Sequence, residues 1–184
     1  MLWLIRHGES MSNAGKPTAS PSSIELTAKG KRQAVELATR INDKPDLIIF
    51  SPYIRAYMTA KPMMDKFPDV PTKEMPVYEF TYLSPRTCCN TTAEQRRPRV
   101  LEYWKRHDPD YTDGDDAESF NDLLVRVRNL LSVDHQRKLV MVFTHEMFMR
   151  AVLAVTAAGN ADSVDMSEVW QGRAIANTEI IKIP

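Results

Sequence analysis

The chain is 184 residues long, with 43% hydrophobic and 26% charged residues, a balance typical of soluble globular proteins and enough for one domain with a substantial core. Its 24 basic and 24 acidic side chains cancel, so no net positive field favours nucleic acid or an anionic lipid surface, and any anion site must be local. No apolar run approaches the ~20 residues of a membrane span, and the N-terminal run meets Arg6 too early for a secretory leader; the expectation is a cytoplasmic protein with no membrane or nucleic-acid partner.

In chain order, residues 1–5 of "MLWLIRHGES" are a short apolar run that reads as a buried strand and stops abruptly at Arg6 and His7. The stretch "KPTASPSS", residues 16–23, is rich in turn formers and reads as an exposed, mobile loop. Residues 28–41 place Ala34, Leu37, Ala38 and Ile41 on one helical face, with Thr27 positioned as the N-cap. A second buried strand, "DLIIF", covers 46–50, and a helical pattern follows over 54–67, where Pro62 predicts a kink or an interruption. "PVY", residues 76–78, reads as a short strand ahead of Glu79.

Residues 80–117 break this rhythm with Pro85, Pro98 and Pro109, with Arg86, Arg96, Arg97 and Arg99, with the aromatic pair Tyr103 and Trp104, and with the acidic run "DGDDAE". They read as an insertion over the sheet. Within it, the adjacent Cys88 and Cys89 fit neither a metal-ligand spacing nor an unstrained bridge and read as free thiols. Helical patterns at 118–131 and 147–157 flank a third apolar strand, "LVMVF" at 139–143, and "NTEIIKI", 177–183, reads as an antiparallel or edge strand. The alternation predicts a single α/β domain over 1–184: a three-layer α/β/α sandwich around a mainly parallel sheet, with 80–117 as a cap.

Polar clusters sit just beyond each apolar strand: Arg6 and His7 after the first, Arg55 after the second, and Thr144, His145 and Glu146 after the third. In open α/β sheets ligands bind outside the carboxyl ends of the strands, so these distant residues would meet around one substrate. Guanidinium forks match phosphate oxygens in shape and charge, and a neutral imidazole can attack phosphorus and carry the phosphoryl group covalently. Strand capping is the structural alternative for Arg6 and His7, and a surface helix position the alternative for Arg55. Phosphoryl transfer accounts for all of them together.

These residues and their surroundings resemble the histidine phosphatase superfamily, the phosphoglycerate mutase-like enzymes, whose hallmark RHGE stands here as Arg6, His7, Gly8 and Glu9. Within "RHGESMSN", Asn13 keeps the family's spacing; "LTAKGKRQA" resembles the following helix start, "SPYIRAYMTA" the segment around Arg55, and "VFTHEMFMR" the second-histidine segment. "ESFNDLLVRV" and "NTEIIKI" look like family segments too, and the likeness is weakest between 81 and 116.

The resemblance implies hydrolysis of a small phosphomonoester without metal or cofactor. His7 would attack in line, Arg6, Arg55 and His145 would hold the phosphoryl oxygens, and Asn13 would add a hydrogen bond. Glu79 would protonate the departing oxygen before water cleaves the phosphohistidine. Arg6 and Arg55 are expected to keep His7 neutral, and partial desolvation to raise the pKa of Glu79. The alternatives are phosphoglycerate mutase-type transfer, for which the chain looks short, and a catalytically weak phosphate-binding scaffold.

Glu146 departs from the glycine that family members commonly carry there. It reads either as a first-turn carboxylate meeting a helix dipole or as a residue that selects against polyanionic substrates. Arg86, Arg96, Arg97 and Arg99 read either as a solvated charge run or as contacts to a second anionic group at the mouth of the site. His107 and His135 read as surface residues.

Overall fold

The computed structural model describes residues 1–133 and 138–184, so His135 lies outside the described residues. Three runs of continuous apolar residues form the centre of the sheet: β1 (Leu2–Arg6), β2 (Leu47–Phe50) and β4 (Val140–Thr144). Such strands have no polar face to turn to water, so both faces must be covered. With β3 (Thr72–Glu74) and β5 (Ile180–Ile183) they make one five-stranded sheet in the order β3-β2-β4-β1-β5. All pairings are parallel except β5 with β1, where Leu2 faces Ile183.

Alternation along each strand divides the core into two halves. Trp3, Ile5, Ile48, Met141 and Phe143 point to one face and pack with Leu37 and Ala38 of α1 (Ala28–Arg40) and with Ala60 and Met63 of α2 (Ile54–Lys66). Leu4, Ile49, Val140 and Val142 point to the other, against α5 (Phe120–Leu131), α6 (Glu146–Ala158) and α7 (Met166–Trp170). Helices cover both faces, which makes the three layers expected from the sequence. Among the described residues no helix is long and apolar enough to cross a membrane.

Two local expectations concern the edge strand and α2. The strand at the β2 edge is Thr72–Glu74, exposed throughout, and not the Pro76–Tyr78 stretch. Pro76 has no N–H for the ladder, and Val77 turns inward to burial while its carbonyl accepts a hydrogen bond from Thr144 Oγ1 at 2.5 Å. Helix α2 also runs through Pro62 without interruption. Buried Ala56, Thr59, Ala60 and Met63 hold it along α1, and that packing offsets the hydrogen bond the proline forgoes.

The 80–117 stretch contains the single turn α3 (Pro85–Cys88) and the longer α4 (Ala93–Arg106), whose start is closed by a Thr92–Gln95 capping box. Tyr103 and Trp104 are buried, and Trp104 stacks on Trp170 of α7 at 4.9 Å between centroids. The 16–23 loop is tied to this segment: Asn90 N–H donates to the Thr18 carbonyl at 2.8 Å and Thr18 N–H to that of Thr91 at 3.3 Å. Cys88 and Cys89 are both free thiols.

The loop leaving β1 lies backbone against backbone on the start of α1. A methyl group at Gly30 would stand 2.0 Å from the Glu9 carbonyl oxygen, and one at Gly8 would stand 2.6 Å from that of Gly30. Neither neighbour is a side-chain end that can swing away. Gly30→Ala is therefore expected to destabilise the fold by roughly 1–3 kcal/mol, as overpacking does, read as a drop in Tm; an unchanged Tm would mean that the loop retreats freely.

Candidate active site

The β1–β4 pairing sets Arg6 opposite Thr144, so the next residue of each strand exits side by side. Those residues are His7 and His145, whose ring centroids are 5.0 Å apart. Arg55 comes from the first turn of α2 and donates from Nε to His7 Nε2 at 3.2 Å. Glu79 and Arg6 complete the group around the inner end of one cavity of about 210 Å³, which His7, Asn13 and Arg55 also line.

The hydrogen bonds of His7 settle its tautomer. Its Nδ1 lies 2.7 Å from the Gly8 carbonyl, which can only accept, so Nδ1 carries the proton. Nε2 then presents a lone pair, in agreement with the donated bond from Arg55, which has no acceptor to offer. Burial holds the His7 pKa well below its ordinary value, with Arg55 and Arg6 adding to the depression against the opposing Gly8 bond. The ring is a neutral base that lines the cavity, with its Nε2 lone pair turned to Arg55.

His145 is wholly buried. Its Nε2 pairs with Ser51 Oγ at 2.9 Å, and its Nδ1 has no partner among the described residues. Burial lowers its pKa as well, followed by the charge of Arg55. Desolvation brings Arg55 itself down to about 10. The buried Nε of Arg6 is likewise unpartnered, while its Nη1 donates to the Ile175 carbonyl and meets Glu146 Oε2 at 3.0 Å. Orphaned polar atoms of this kind are costly in a closed interior; Arg6 lines the cavity, and His145 lies behind its lining residues, beside the His7 ring.

Asn13 sits at the rim. Its Oδ1 accepts from Ser10 N–H at 3.1 Å and from Asn177 Nδ2 at 3.2 Å, which leaves its own amide N–H groups to donate elsewhere. Glu79 Oε1 accepts from the backbone N–H groups of Phe80 at 3.1 Å and Met147 at 3.0 Å. Desolvation raises the pKa of this carboxyl, only partly countered by Arg55 and Arg6.

The segment carrying Glu79 has no regular secondary structure and is held from α5 instead. Arg126 donates from Nη1 to the carbonyls of Pro76 and Tyr78 at 2.8 and 2.9 Å, lies 3.9 Å over the Tyr78 ring, and makes a two-pronged bond to Glu118 at 2.5 and 2.7 Å. Glu118 in turn holds Thr81: its backbone N–H donates to the Thr81 carbonyl at 2.9 Å and its Oε2 accepts from Thr81 N–H at 3.4 Å. The chain is thus gripped on both sides of Glu79. Sequence reasoning passed over Glu118, Arg126, Ser51 and Thr59, the last of which accepts from Gly8 N–H at 3.0 Å. An arginine on the buried face of an amphipathic helix was the signal available for Arg126.

The residues considered for substrate selection are dispersed. Glu146 does not line the cavity: it stands in the first turn of α6, with Oε2 on Arg6 and Oε1 on Arg150 at 2.5 Å. Of Arg86, Arg96, Arg97 and Arg99 only Arg96 lines the cavity. Arg97, one position on, is rotated by ~100° about α4 and is exposed. Arg86 is exposed on the single-turn α3, and Arg99 is paired with Asp113. His107 is exposed and meets Asp165 at 3.0 Å. Among the described residues no group of His, Cys, Asp and Glu is arranged to hold a metal ion.

A phosphoglycerate mutase of Arabidopsis thaliana dependent on 2,3-bisphosphoglycerate is 45% identical over 60 residues, 32% of this chain and 18% of its own length. The fructose-2,6-bisphosphatase of Saccharomyces cerevisiae is 25% identical over 158 residues, 83% of this chain. The chain spans only a third of that relative's length. The crystal structure of the alpha-ribazole phosphatase from Shigella flexneri superposes with a TM-score of 0.73 at 23% identity, covering 100% of this chain and 90% of that one. Over residues 2–183 the sequence matches the family model for branch 1 of the histidine phosphatase superfamily, whose members are phosphatases or mutases, and the chain belongs to that superfamily.

Proposed function

We propose that this chain hydrolyses small phosphomonoesters through a phosphohistidine on His7, acting as one catalytic unit with the 80–117 stretch as its cap. The observation that carries this reading is the fixed tautomer of His7: a protonated Nδ1 held by the Gly8 carbonyl, and an unprotonated Nε2 whose lone pair accepts from Arg55 Nε until a phosphoryl group draws that donor away.

In the first step His7 Nε2 attacks phosphorus as the ester P–O bond breaks, and the leaving oxygen takes the proton of the Glu79 carboxyl. Arg55 and Arg6 donate to the phosphoryl oxygens. A dianion beside His145 reverses the balance that keeps this imidazole neutral, so its unpartnered Nδ1 binds a proton and donates to a third oxygen. Asn13 adds a hydrogen bond from its free amide edge. In the second step the Glu79 carboxylate takes a proton from water, the resulting hydroxide attacks phosphorus, and the P–N bond breaks. Phosphate leaves with His7 neutral and Glu79 protonated again.

Mutase-type transfer is less favoured. A mutase must hold a second anionic group while the intermediate turns, and beyond the inner end the cavity lining offers Arg96 alone as a cation among the described residues.

Acid-labile, alkali-stable phosphate is expected on His7 after brief incubation with a labelled phosphomonoester; retention of that label by His7→Ala would remove His7 as the nucleophile. The pH dependence of kcat/KM follows from the two shifts. His7 must be neutral, and its lowered pKa keeps activity until well below pH 6.5; Glu79 must be protonated, and its raised pKa keeps activity above its ordinary 4.5 and loses it as pH rises further. Glu79→Gln should flatten that alkaline limb and slow alkyl phosphates far more than aryl phosphates, whose leaving oxygen needs no proton; equal losses would move the acid elsewhere. Arg126→Lys keeps a charge for Glu118 but loses the fork that grips Pro76 and Tyr78, so it should show the same bias toward aryl phosphates in weaker form, with wild-type leaving-group dependence as the contrary result.

A further inference from the structure

Apart from Arg6, His7, Arg55 and Glu79, the cavity lining is of a different character. It combines short hydroxyl-bearing side chains of the 10–20 stretch with the apolar or ring surfaces of Ile24, Tyr82, Leu83, Pro85 and Val100. Ile24 directly follows the loop tied to the cap, and Val100 lies on α4. These side chains come from three separate parts of the chain yet present hydrocarbon or ring surface to the same space. Burial pushes the Tyr82 phenol up to about 12, so its ring is a neutral surface at any working pH.

The charge inventory points the same way. Among the described residues of this part of the lining no carboxylate occurs, and Arg96 is the one cation. Arg96 is already engaged, its Nη1 donating to the Thr91 carbonyl at 2.9 Å and to Thr91 Oγ1 at 3.1 Å. Two further candidates for a second anion site, Arg86 and Arg97, do not line the cavity, and Arg99 is paired with Asp113. A substrate body rich in carboxylate or further phosphate would leave water for a wall that returns little. A hydrocarbon or aromatic body would cover surface that is otherwise wet.

We infer that the cavity of this protein accepts phosphomonoesters whose body is apolar, an alkyl chain or an aromatic ring lying against Ile24, Leu83 and Val100, in preference to compact polyanions. The inference rests on the phosphomonoester reading of the same site, and it assigns these apolar side chains a binding role that the phosphoryl chemistry does not require.

Binding and turnover test the two readings separately. Affinities of the unmodified chain for ethylphosphonate, hexylphosphonate and 3-phosphonopropionate, measured by titration calorimetry, need no hydrolysis. Each methylene taken from water is worth up to about fourfold in affinity, so four methylenes on a partly open wall should make hexylphosphonate at least about tenfold tighter than ethylphosphonate. It should also bind more tightly than 3-phosphonopropionate. Ile24→Ser and Val100→Ser, one in a loop and one on a half-exposed helix face, should each compress the hexyl-to-ethyl ratio.

Equal affinities for the two alkyl phosphonates, tighter binding of the carboxylate compound, or a ratio untouched by both substitutions would overturn the inference. Hydrolysis of hexyl phosphate and of 3-phosphoglycerate is then scored by released phosphate. Absence of turnover with the alkyl preference intact would count against the catalytic reading alone, and turnover without that preference would count against the apolar wall alone.

Discussion

The parallel pairing of β1 with β4, in the register that sets Arg6 against Thr144, is the constraint on which the site depends. It delivers His7 and His145 from strands some 140 residues apart to neighbouring positions beyond the carboxyl ends of two interior strands. Register in a buried sheet is strongly specified, because a slip of one residue turns every side chain to the opposite face. Here that slip would send Trp3 and Ile5 away from α1 and α2 while Leu4 took their place. The same apolar alternation that builds a two-sided core therefore also aims the histidines. Backbone contact between the β1 exit and the start of α1 then leaves that exit no room to wander.

Electrostatically, the fold assembles a problem that its ligand resolves. Two imidazoles, Arg55 and Arg6 are brought together with little water, and the protein lowers the charge by keeping both histidines neutral. Glu146 neutralises Arg6 from behind and shares itself with Arg150, so the guanidinium is held in place without a carboxylate entering the cavity. Glu79 is the acidic group on the cavity side, and burial biases it toward its uncharged form. On the phosphomonoester reading proposed above, a bound phosphoryl group would supply the negative charge that the surroundings withhold. Preorganised donors already desolvated in this way need no rearrangement of solvent when charge shifts during reaction.

The central strands, the helices between them and the cluster at the strand ends were legible in the sequence because continuous apolar runs and abrupt polar stops carry them directly. Arg6, His7, Arg55 and His145 each follow such a stop. The edge strand was not legible, since Thr72–Glu74 holds no apolar residue and owes its conformation to pairing with β2 alone. Nor was the grip of Arg126 and Glu118 on the Glu79 segment, which joins residues up to 50 positions apart and leaves no periodic trace. The inward setting of Val77 replaced a strand by a coil for the same reason: tertiary hydrogen bonds from Thr144 and Arg126 outweighed local propensity. Glu146 could be read two ways from the chain, because nothing in the local sequence says that Arg6 and Arg150 converge on it.

The exposed, charged character of β3 has a consequence beyond the site. A sheet of five strands ends in two rows of unsatisfied backbone groups, each a template onto which another chain can add itself. At one border stands Thr72, Lys73 and Glu74, all facing water over only three residues. At the other, Lys182 extends over the Trp3 ring and Pro184 follows the strand at once. Docking a second molecule on either border would strip water from a lysine or meet a residue without an N–H. Brevity and charge at the margins of a sheet whose interior is almost wholly hydrocarbon thus weigh against the addition of a further strand at either border.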